Sequence, residues 1–246
     1  MLKAHADAPQ CESSRRECAW CVPGECAVVH APTIRLRVAA QMSDFERDAA
    51  VNYFGVIRVC KAFLPHLKTS AMQQVVSGRG SASPRILVVS SMSGKLPMPI
   101  LSSYSSTKHA VAAFAASLRM EVQHMFGIHV CTLLPSFHRT PLLAGAIPSL
   151  DRVWKAVPAE TRAAYGGEVA IAAARECAED LVVDWAWDPA RVVEGATRAI
   201  TSLSAPPREL AVGGDARFGL NVMRHLPPFV YETIIYYYVC WSAMEP

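Results

Sequence analysis

Three residues capable of proton transfer lie close together in the middle of the chain. Tyr104 and Lys108 are four residues apart in "YSSTK", and Ser91 ends the run "RILVVSS" thirteen residues before Tyr104. On a helix, a spacing of four places the tyrosine and the lysine on one face. A phenol has an ordinary pKa of about 10, and a neighbouring lysine cation favours its ionised form. We expect Tyr104 to exchange a proton with a substrate oxygen that Ser91 also binds, as in alcohol–carbonyl interconversion with a nicotinamide.

The sequence around these residues predicts alternating helices and strands. Apolar periodicity indicates long helices over 44–67 and 103–126, separated by a polar loop over 69–84. The runs "RILVVSS" and "GIHVCTLLP" have the two-sided apolar character of buried parallel strands. Further helices are predicted near 151–156, 159–180 and 188–202, and a strand at "ELAVGG". This order predicts an α/β fold with a parallel sheet, in which Ser91 lies at a functional strand end.

Three longer segments share this spacing: "VNYFGVIRVCKAFLPHL", "RILVVSSMSGKLPMPILSSYSSTKHAVAAFAASLRMEV" and "GIHVCTLLPSFHRTPLL". Together they resemble the short-chain dehydrogenase/reductase family, whose fold is a Rossmann-like, doubly wound parallel sheet. The resemblance implies a catalytic set of Asn52, Ser91, Tyr104 and Lys108. In this set Asn52 would hold a water in a proton relay that reaches Lys108.

The resemblance also implies a nicotinamide cofactor, NAD or NADP. Tyr104, Lys108, Pro135 and Thr140 are the expected cofactor-binding residues. The lysine would hydrogen-bond the nicotinamide ribose, and Thr140 would contact the carboxamide. The family has Pro-Gly before this threonine, whereas this chain has Pro135-Ser136.

From about 42 to 240 the sequence looks like the retinol, hydroxysteroid and 3-hydroxybutyrate dehydrogenases. That subfamily resemblance implies a small to medium lipophilic alcohol, or its carbonyl compound, as substrate. It also implies a homo-oligomer that associates through the two long helices.

The glycine-rich turn T-G-x-x-x-G-x-G, with which the family begins, is absent from this sequence. We therefore interpret the chain as N-terminally truncated, with an irregular and disordered leader over 1–36 and a truncated dehydrogenase domain over 37–246. Within the leader, "CAVVHA" and "TIRLRVAA" are candidate short strands. A truncated gene model, a short isoform and a catalytically silent relative remain open as explanations. The expected consequence is weak NAD(P) binding and marginal stability.

Composition excludes several classes of protein. The 246 residues are 52% hydrophobic with a formal net charge of +3, which favours a globular domain and gives no sign of nucleic-acid binding. The N-terminus has no apolar signal-peptide core, and no stretch reaches the length of about 20 apolar residues needed to cross a bilayer. We expect a location in the cytoplasm or at the periphery of an intracellular membrane rather than secretion.

Three further features each have two interpretations. Cys18, Cys21, Cys26 and His30 have zinc-like spacing, but a leader without a metal is favoured, so no metal site is predicted. His138 can touch the substrate, whereas His109 is expected to be solvated or packed on the sheet. The aromatic tail over 229–241 either packs over the substrate pocket or a subunit contact, or it contacts a membrane surface.

Overall fold

The computed structural model describes residues 26–29, 42–77, 83–99, 101–164, 166–183 and 185–240. The strands are β1 (Cys26–Val29), β2 (Arg85–Val89), β3 (His129–Pro135) and β4 (Glu209–Val212). The α-helices are α1 (Met42–Asp48), α2 (Gly55–Ser77), α3 (Ser102–Phe126), α4 (Pro141–Ala144), α5 (Ala146–Ala156), α6 (Ala159–Ala164), α7 (Gly167–Val183), α8 (Ala190–Thr201), α9 (Gly214–Asn221) and α10 (Pro228–Cys240). A π-helix (Ala49–Phe54) joins α1 to α2, and short 3₁₀ turns cover Met92–Gly94 and Met223–His225.

The four strands form one parallel sheet in the order β1-β2-β3-β4. Successive side chains of β2 alternate between the two faces of this sheet. Ile86 and Val88 pack in a core with α2 and α3, whereas Leu87 and Val89 pack with β3 and α8. Helices therefore cover both faces, as the predicted doubly wound α/β fold requires.

Several predicted elements are confirmed. The predicted helix over 103–126 is α3, and the strands "RILVV", "HVCTLLP" and "ELAV" are β2, β3 and β4. The candidate strand in "CAVVHA" is β1, which lies inside the predicted leader and pairs with β2. The rest of that leader and the "TIRLRVAA" segment lie outside the described residues, so the domain boundary at 36 stays a prediction.

The helix predicted over 44–67 is longer than expected and is interrupted. The π-helix divides it, and α2 continues to Ser77 through half of the predicted loop. Leu67 and Ala71 are both buried in the core between α2 and the sheet, so the apolar period extends past the predicted end. Pro65, expected in the last turn, lies inside α2.

The helix predicted over 159–180 is two helices, α6 and α7. Gly166 precedes α7 and Gly167 begins it, with φ of +92° and +62°. This left-handed backbone ends one helix and redirects the chain into the next.

Among the described residues, the longest apolar helical segments fall short of what is needed to cross a membrane.

Candidate active site

The four predicted catalytic residues lie on three neighbouring elements. Ser91 directly follows β2, Tyr104 and Lys108 lie in the first two turns of α3, and Asn52 lies in the π-helix. All four are buried: Asn52 is 0% exposed, Lys108 1%, Ser91 8% and Tyr104 9%. Sequence pattern correctly predicted a helix for Tyr104 and Lys108 and a strand end for Ser91, whereas the π-helix that carries Asn52 was not predicted.

Tyr104 is hydrogen-bonded to Ser91, and its phenol is protonated at neutral pH. Burial raises the pKa of this phenol above its ordinary value, and the Ser91 side chain opposes that rise. Our expectation of a lowered pKa for Tyr104 is wrong, because burial raises this pKa and outweighs the opposing hydrogen bond from Ser91. The site therefore presents an acid, a phenol O–H, next to a serine hydroxyl.

Lys108 lies next to Tyr104 and to the end of β2. Its Nζ lies 5.5 Å from the centre of the Tyr104 ring and donates a hydrogen bond of 3.3 Å to the Val89 carbonyl. Burial lowers the pKa of Lys108 from 10.5 to about 8. The ammonium is thus still charged at neutral pH, but it loses its proton far more easily than an exposed lysine.

Short contacts hold the turn after β2 against α3. The Ser91 Oγ accepts a 3.1 Å hydrogen bond from the Ser93 backbone N–H, which caps the 3₁₀ turn. Ser90 donates from its hydroxyl to the Lys108 carbonyl at 2.9 Å. A Cβ on Gly94 would lie 2.6 Å from that same carbonyl oxygen, so only glycine permits this approach.

Asn52 is fixed to α3 by one end of its amide. Its Nδ2 donates to the Thr107 hydroxyl at 3.1 Å, and Thr107 in turn donates to the Tyr104 carbonyl at 2.8 Å. The Asn52 Oδ1 is buried and has no hydrogen-bond partner within the described part of the chain. A buried acceptor of this kind is suited to binding a water molecule.

Ser91 and Tyr104 face a cavity of about 380 Å³, which we call the first cavity. Its volume lies in the range of small-molecule sites, about 300–1,000 Å³. Pro135 and Thr140 also line it, and Thr140 caps α4 by accepting a hydrogen bond from the Leu143 N–H at 3.4 Å. The predicted cofactor residues Tyr104, Pro135 and Thr140 therefore share one cavity.

Ser136, which stands where the family has a glycine, packs against a glycine from another part of the chain. The Ser136 Oγ packs against Gly213, where a Cβ would lie 2.3 Å from it, and Gly213 has a φ of +108°. A side chain at 136 thus requires a glycine at 213. Sequence reasoning had no signal for this pairing, because β4 brings the two residues together.

The two histidines differ in their surroundings. His138 is buried, lines the first cavity and hydrogen-bonds the Ser136 carbonyl through Nδ1 at 2.9 Å. His109 is half-buried and hydrogen-bonds the Ser105 carbonyl within α3. Of the two, His138 is therefore the residue beside the cavity.

A second cavity of about 240 Å³ adjoins the first and shares Met92 and Phe137 with it. Its remaining walls come from distant parts of the chain, and most of its lining is apolar: Leu96, Met98, Trp185, Asp215, Phe218, Gly219, Met223, Ile234 and Ile235. Sequence reasoning missed this cavity. The tail residues Ile234 and Ile235 contribute to it, whereas Trp241 and the residues that follow lie outside the described part.

Of the candidate zinc ligands, Cys18, Cys21 and His30 lie outside the described residues. Cys26 lies in β1. The described residues contain no group of three or more potential metal ligands.

Similarity to known proteins was found in sequence. Residues 32–149 match the short chain dehydrogenase family model. The chain is 34% identical over 135 residues to 17-beta-hydroxysteroid dehydrogenase type 2 of Homo sapiens, covering 53% of this chain and 31% of that protein. It is 36% identical over 135 residues to dehydrogenase/reductase SDR family member 7C-B of Danio rerio, covering 54% and 38%. The chain thus spans about a third of the length of these relatives.

Solved structures share the fold at low sequence identity. A short-chain dehydrogenase from Streptomyces avermitilis superposes with a TM-score of 0.59 at 22% identity, covering 90% of this chain and 72% of that one. A 3-ketoacyl-(acyl-carrier-protein) reductase from Brucella melitensis, complexed with NADH, gives 0.55 at 21% identity, covering 78% and 67%. The segment over 32–149, which contains Asn52, Ser91, Tyr104 and Lys108, is therefore a short-chain dehydrogenase segment, and the parallel sheet around it agrees with that assignment.

Proposed function

We propose that this chain carries the catalytic centre of an NAD(P)-dependent oxidoreductase that interconverts a lipophilic alcohol and its carbonyl compound. The observation that carries the proposal is the hydrogen-bonded pair of Ser91 and Tyr104 at one cavity, with the Lys108 ammonium 5.5 Å from the tyrosine ring. A phenol and a hydroxyl at one point can donate two hydrogen bonds to the same substrate oxygen.

In the reducing direction, Tyr104 supplies the proton. Its raised pKa keeps the phenol protonated at neutral pH, and the Ser91 hydroxyl hydrogen-bonds the carbonyl oxygen as negative charge develops there. Lys108 stabilises the phenolate that remains, because a cation within a few ångströms favours an anion in a buried site. A water on the Asn52 Oδ1 gives Lys108 a route for proton replacement.

The described residues fit the nicotinamide end of the cofactor. Tyr104, Pro135 and Thr140 line the first cavity, and Lys108 lies beside Tyr104, so these four residues would hold the ring and its ribose. The nicotinamide would supply or accept the hydride. The sequence contains no T-G-x-x-x-G-x-G turn for the pyrophosphate, so we expect the affinity of this chain for the cofactor to be low.

The second cavity supports a lipophilic substrate. Its lining is almost entirely apolar and it meets the first cavity at Met92 and Phe137. An alcohol whose oxygen lies at Tyr104 can therefore place an apolar body there, with a gain of about 25 cal/mol for each Å² buried. The likeness to a hydroxysteroid dehydrogenase is consistent with a steroid or a molecule of similar shape.

Exposed apolar side chains on the two long helices favour a second candidate function. Met72, Val75 and Val76 on α2 and Met120 and Met125 on α3 are all more than half exposed. Such surfaces mark contacts between subunits. In this alternative, the chain is a catalytically silent relative that acts by association with a copy of itself or a related subunit.

Turnover by wild type and Tyr104→Phe separates the two functions. We expect steroid, retinoid and short alcohols with either cofactor to give measurable turnover in wild type, and a fall of about 10³-fold in the variant. Tyr53→Phe removes the same hydroxyl group from a tyrosine of the π-helix. It is the matched control and should keep wild-type activity. Equal rates at background level in wild type and Tyr104→Phe would favour the silent relative.

A further inference from the structure

The helix that carries Tyr104 and Lys108 begins without the usual stabilising residues of its own. Leu101 precedes α3, and its aliphatic side chain cannot accept a hydrogen bond from the first turn. The first turn, over 102–105, contains no carboxylate. Helix N-termini carry partial positive charge and unpaired N–H groups, so they are normally capped by Ser, Thr, Asp or Asn.

A carboxylate from another helix contacts this first turn. Asp48, the last residue of α1, is 0% exposed, and its Oδ2 accepts a 2.6 Å hydrogen bond from the Ser103 hydroxyl. Ser103 is also 0% exposed and directly precedes Tyr104. A distance of 2.6 Å lies at the short end of the range for O–H···O hydrogen bonds.

The contact belongs to a two-rung connection between the helices. Four residues after Asp48, Asn52 donates to Thr107, which is four residues after Ser103. The π-helix between the two rungs presents both side chains to α3, since about four residues complete one of its wide turns. The two candidate catalytic residues on α3, Tyr104 and Lys108, each directly follow a rung residue.

We propose that Asp48 is a positioning residue that caps α3 from outside the helix and fixes the turn that holds Tyr104. The inference rests on the proposed function for its catalytic meaning. Its physical content, the ordering of the first turn of α3 by a buried carboxylate, concerns the chain itself. A buried carboxylate is stabilised by a helix N-terminus and a hydroxyl donor, and in return it holds that turn against α1.

Hydrogen exchange on the ligand-free chain tests the ordering. Asp48→Ala should speed exchange of the amides of Ser105 to Lys108 by about tenfold, and Asp48→Asn, which keeps an acceptor without the charge, should do so by less. Asp44→Asn makes the same change one turn earlier on α1 and should leave these amides unchanged. The β3 amides exchange through global unfolding, so they measure how much overall stability each variant loses.

A compensating substitution separates capping from general packing. Ser102→Asp gives α3 an acidic residue of its own at an exposed position of the first turn. Combined with Asp48→Ala, it should restore most of the lost protection. Unchanged exchange in Asp48→Ala, or no recovery of protection when Ser102→Asp is added, would overturn the proposal.

Measurements of kcat and KM test whether Asp48 positions Tyr104 for catalysis. With an alcohol that wild type oxidises, Asp48→Asn should lower kcat several-fold while KM changes less than twofold, because the apolar cavities are untouched. A fall in kcat that disappears when the rate is divided by the fraction of folded protein, measured by circular dichroism, would count against positioning. Absence of turnover in wild type would contradict the proposed function, and the exchange measurements would still decide the role of Asp48.

Discussion

The first and second cavities meet at Met92 and Phe137, yet their lining residues differ in polarity and in where they lie along the chain. The catalytic wall of the first comes from short, consecutive segments around β2 and α3, and its polar side chains are buried and hydrogen-bonded. The second is apolar and is assembled from residues between Met92 and Ile235. Under the proposed function, the first cavity performs the chemistry and the second selects the substrate.

The two regions also differ in their expected cost to stability. Burying the charge of Lys108 is unfavourable, as the fall of its pKa from 10.5 to about 8 indicates. Burying Phe137, Met223 or Ile235 in the second region is favourable. The first cavity is therefore where we expect function to oppose stability.

Replacing Lys108 should raise the stability of the chain and abolish its activity, and it gives the largest expected effect. The pKa shift corresponds to roughly 3 kcal/mol, and loss of the hydrogen bond to the Val89 carbonyl returns about 1 kcal/mol. Lys108→Met should therefore raise the free energy of unfolding by about 2 kcal/mol at pH 7 and abolish turnover. Urea unfolding measures the first effect and an alcohol assay the second.

The pH dependence of this gain follows from the direction of the shift. Because the folded-state pKa is depressed, the unfolded chain binds more protons between pH 8 and 10.5, and the stability of wild type rises over that window. The advantage of Lys108→Met should be complete below about pH 8 and shrink as the pH approaches 10.5. Lys61→Met, at an exposed position on α2, is the control; an equal gain there would contradict the account.

Filling the second cavity should sharpen the comparison with a smaller effect. A Cβ at Gly219 would lie 3.0 Å from Leu96 Cδ1 and 3.6 Å from Met92 Sδ, so Gly219→Val narrows the space. We expect KM for a steroid-sized alcohol to rise about tenfold, the cost of roughly one or two lost methylene contacts. KM for a three- or four-carbon alcohol should stay within twofold.

A matched change away from the cavities controls for the effect of the added side chain. Gly55→Val places the same group at the start of α2, where the nearest atom to the new Cβ is 3.8 Å away. It should leave both KM values unchanged. A parallel rise for long and short alcohols in Gly219→Val would show that the second cavity does not select by size.

The regions differ as well in how far the sequence predicts them. β2, α3 and β3 have clear apolar periods, so the positions of Ser91, Tyr104 and Lys108 follow from local pattern. The π-helix and the contact between Asp48 and Ser103 depend on how two helices meet, and local pattern contains no such information. The extension of α2 to Ser77 was missed because the Gly and Ser residues of the segment over 69–84 predicted a loop, although Ala71 is buried.

Tertiary contacts account for the remaining surprises. Sequence reasoning recognised Ser136 as a departure from the family pattern, but its compensation by Gly213 depends on the pairing of β3 with β4. The pKa of Tyr104 was predicted in the wrong direction, because the spacing to Lys108 suggested a charge effect where burial dominates. Spacing predicts proximity, whereas the sign of a pKa shift also depends on how much water reaches the group.

Isotope transfer to the product tests the central claim most directly. Wild type and Tyr104→Phe would be incubated with a lipophilic ketone and nicotinamide cofactor deuterated at the transferred position, and the alcohol analysed by mass spectrometry. The account predicts one deuterium on the carbinol carbon with wild type and a yield lower by about 10³-fold with Tyr104→Phe. Deuterated alcohol at equal yield from both proteins, or none from wild type at saturating cofactor, would contradict it.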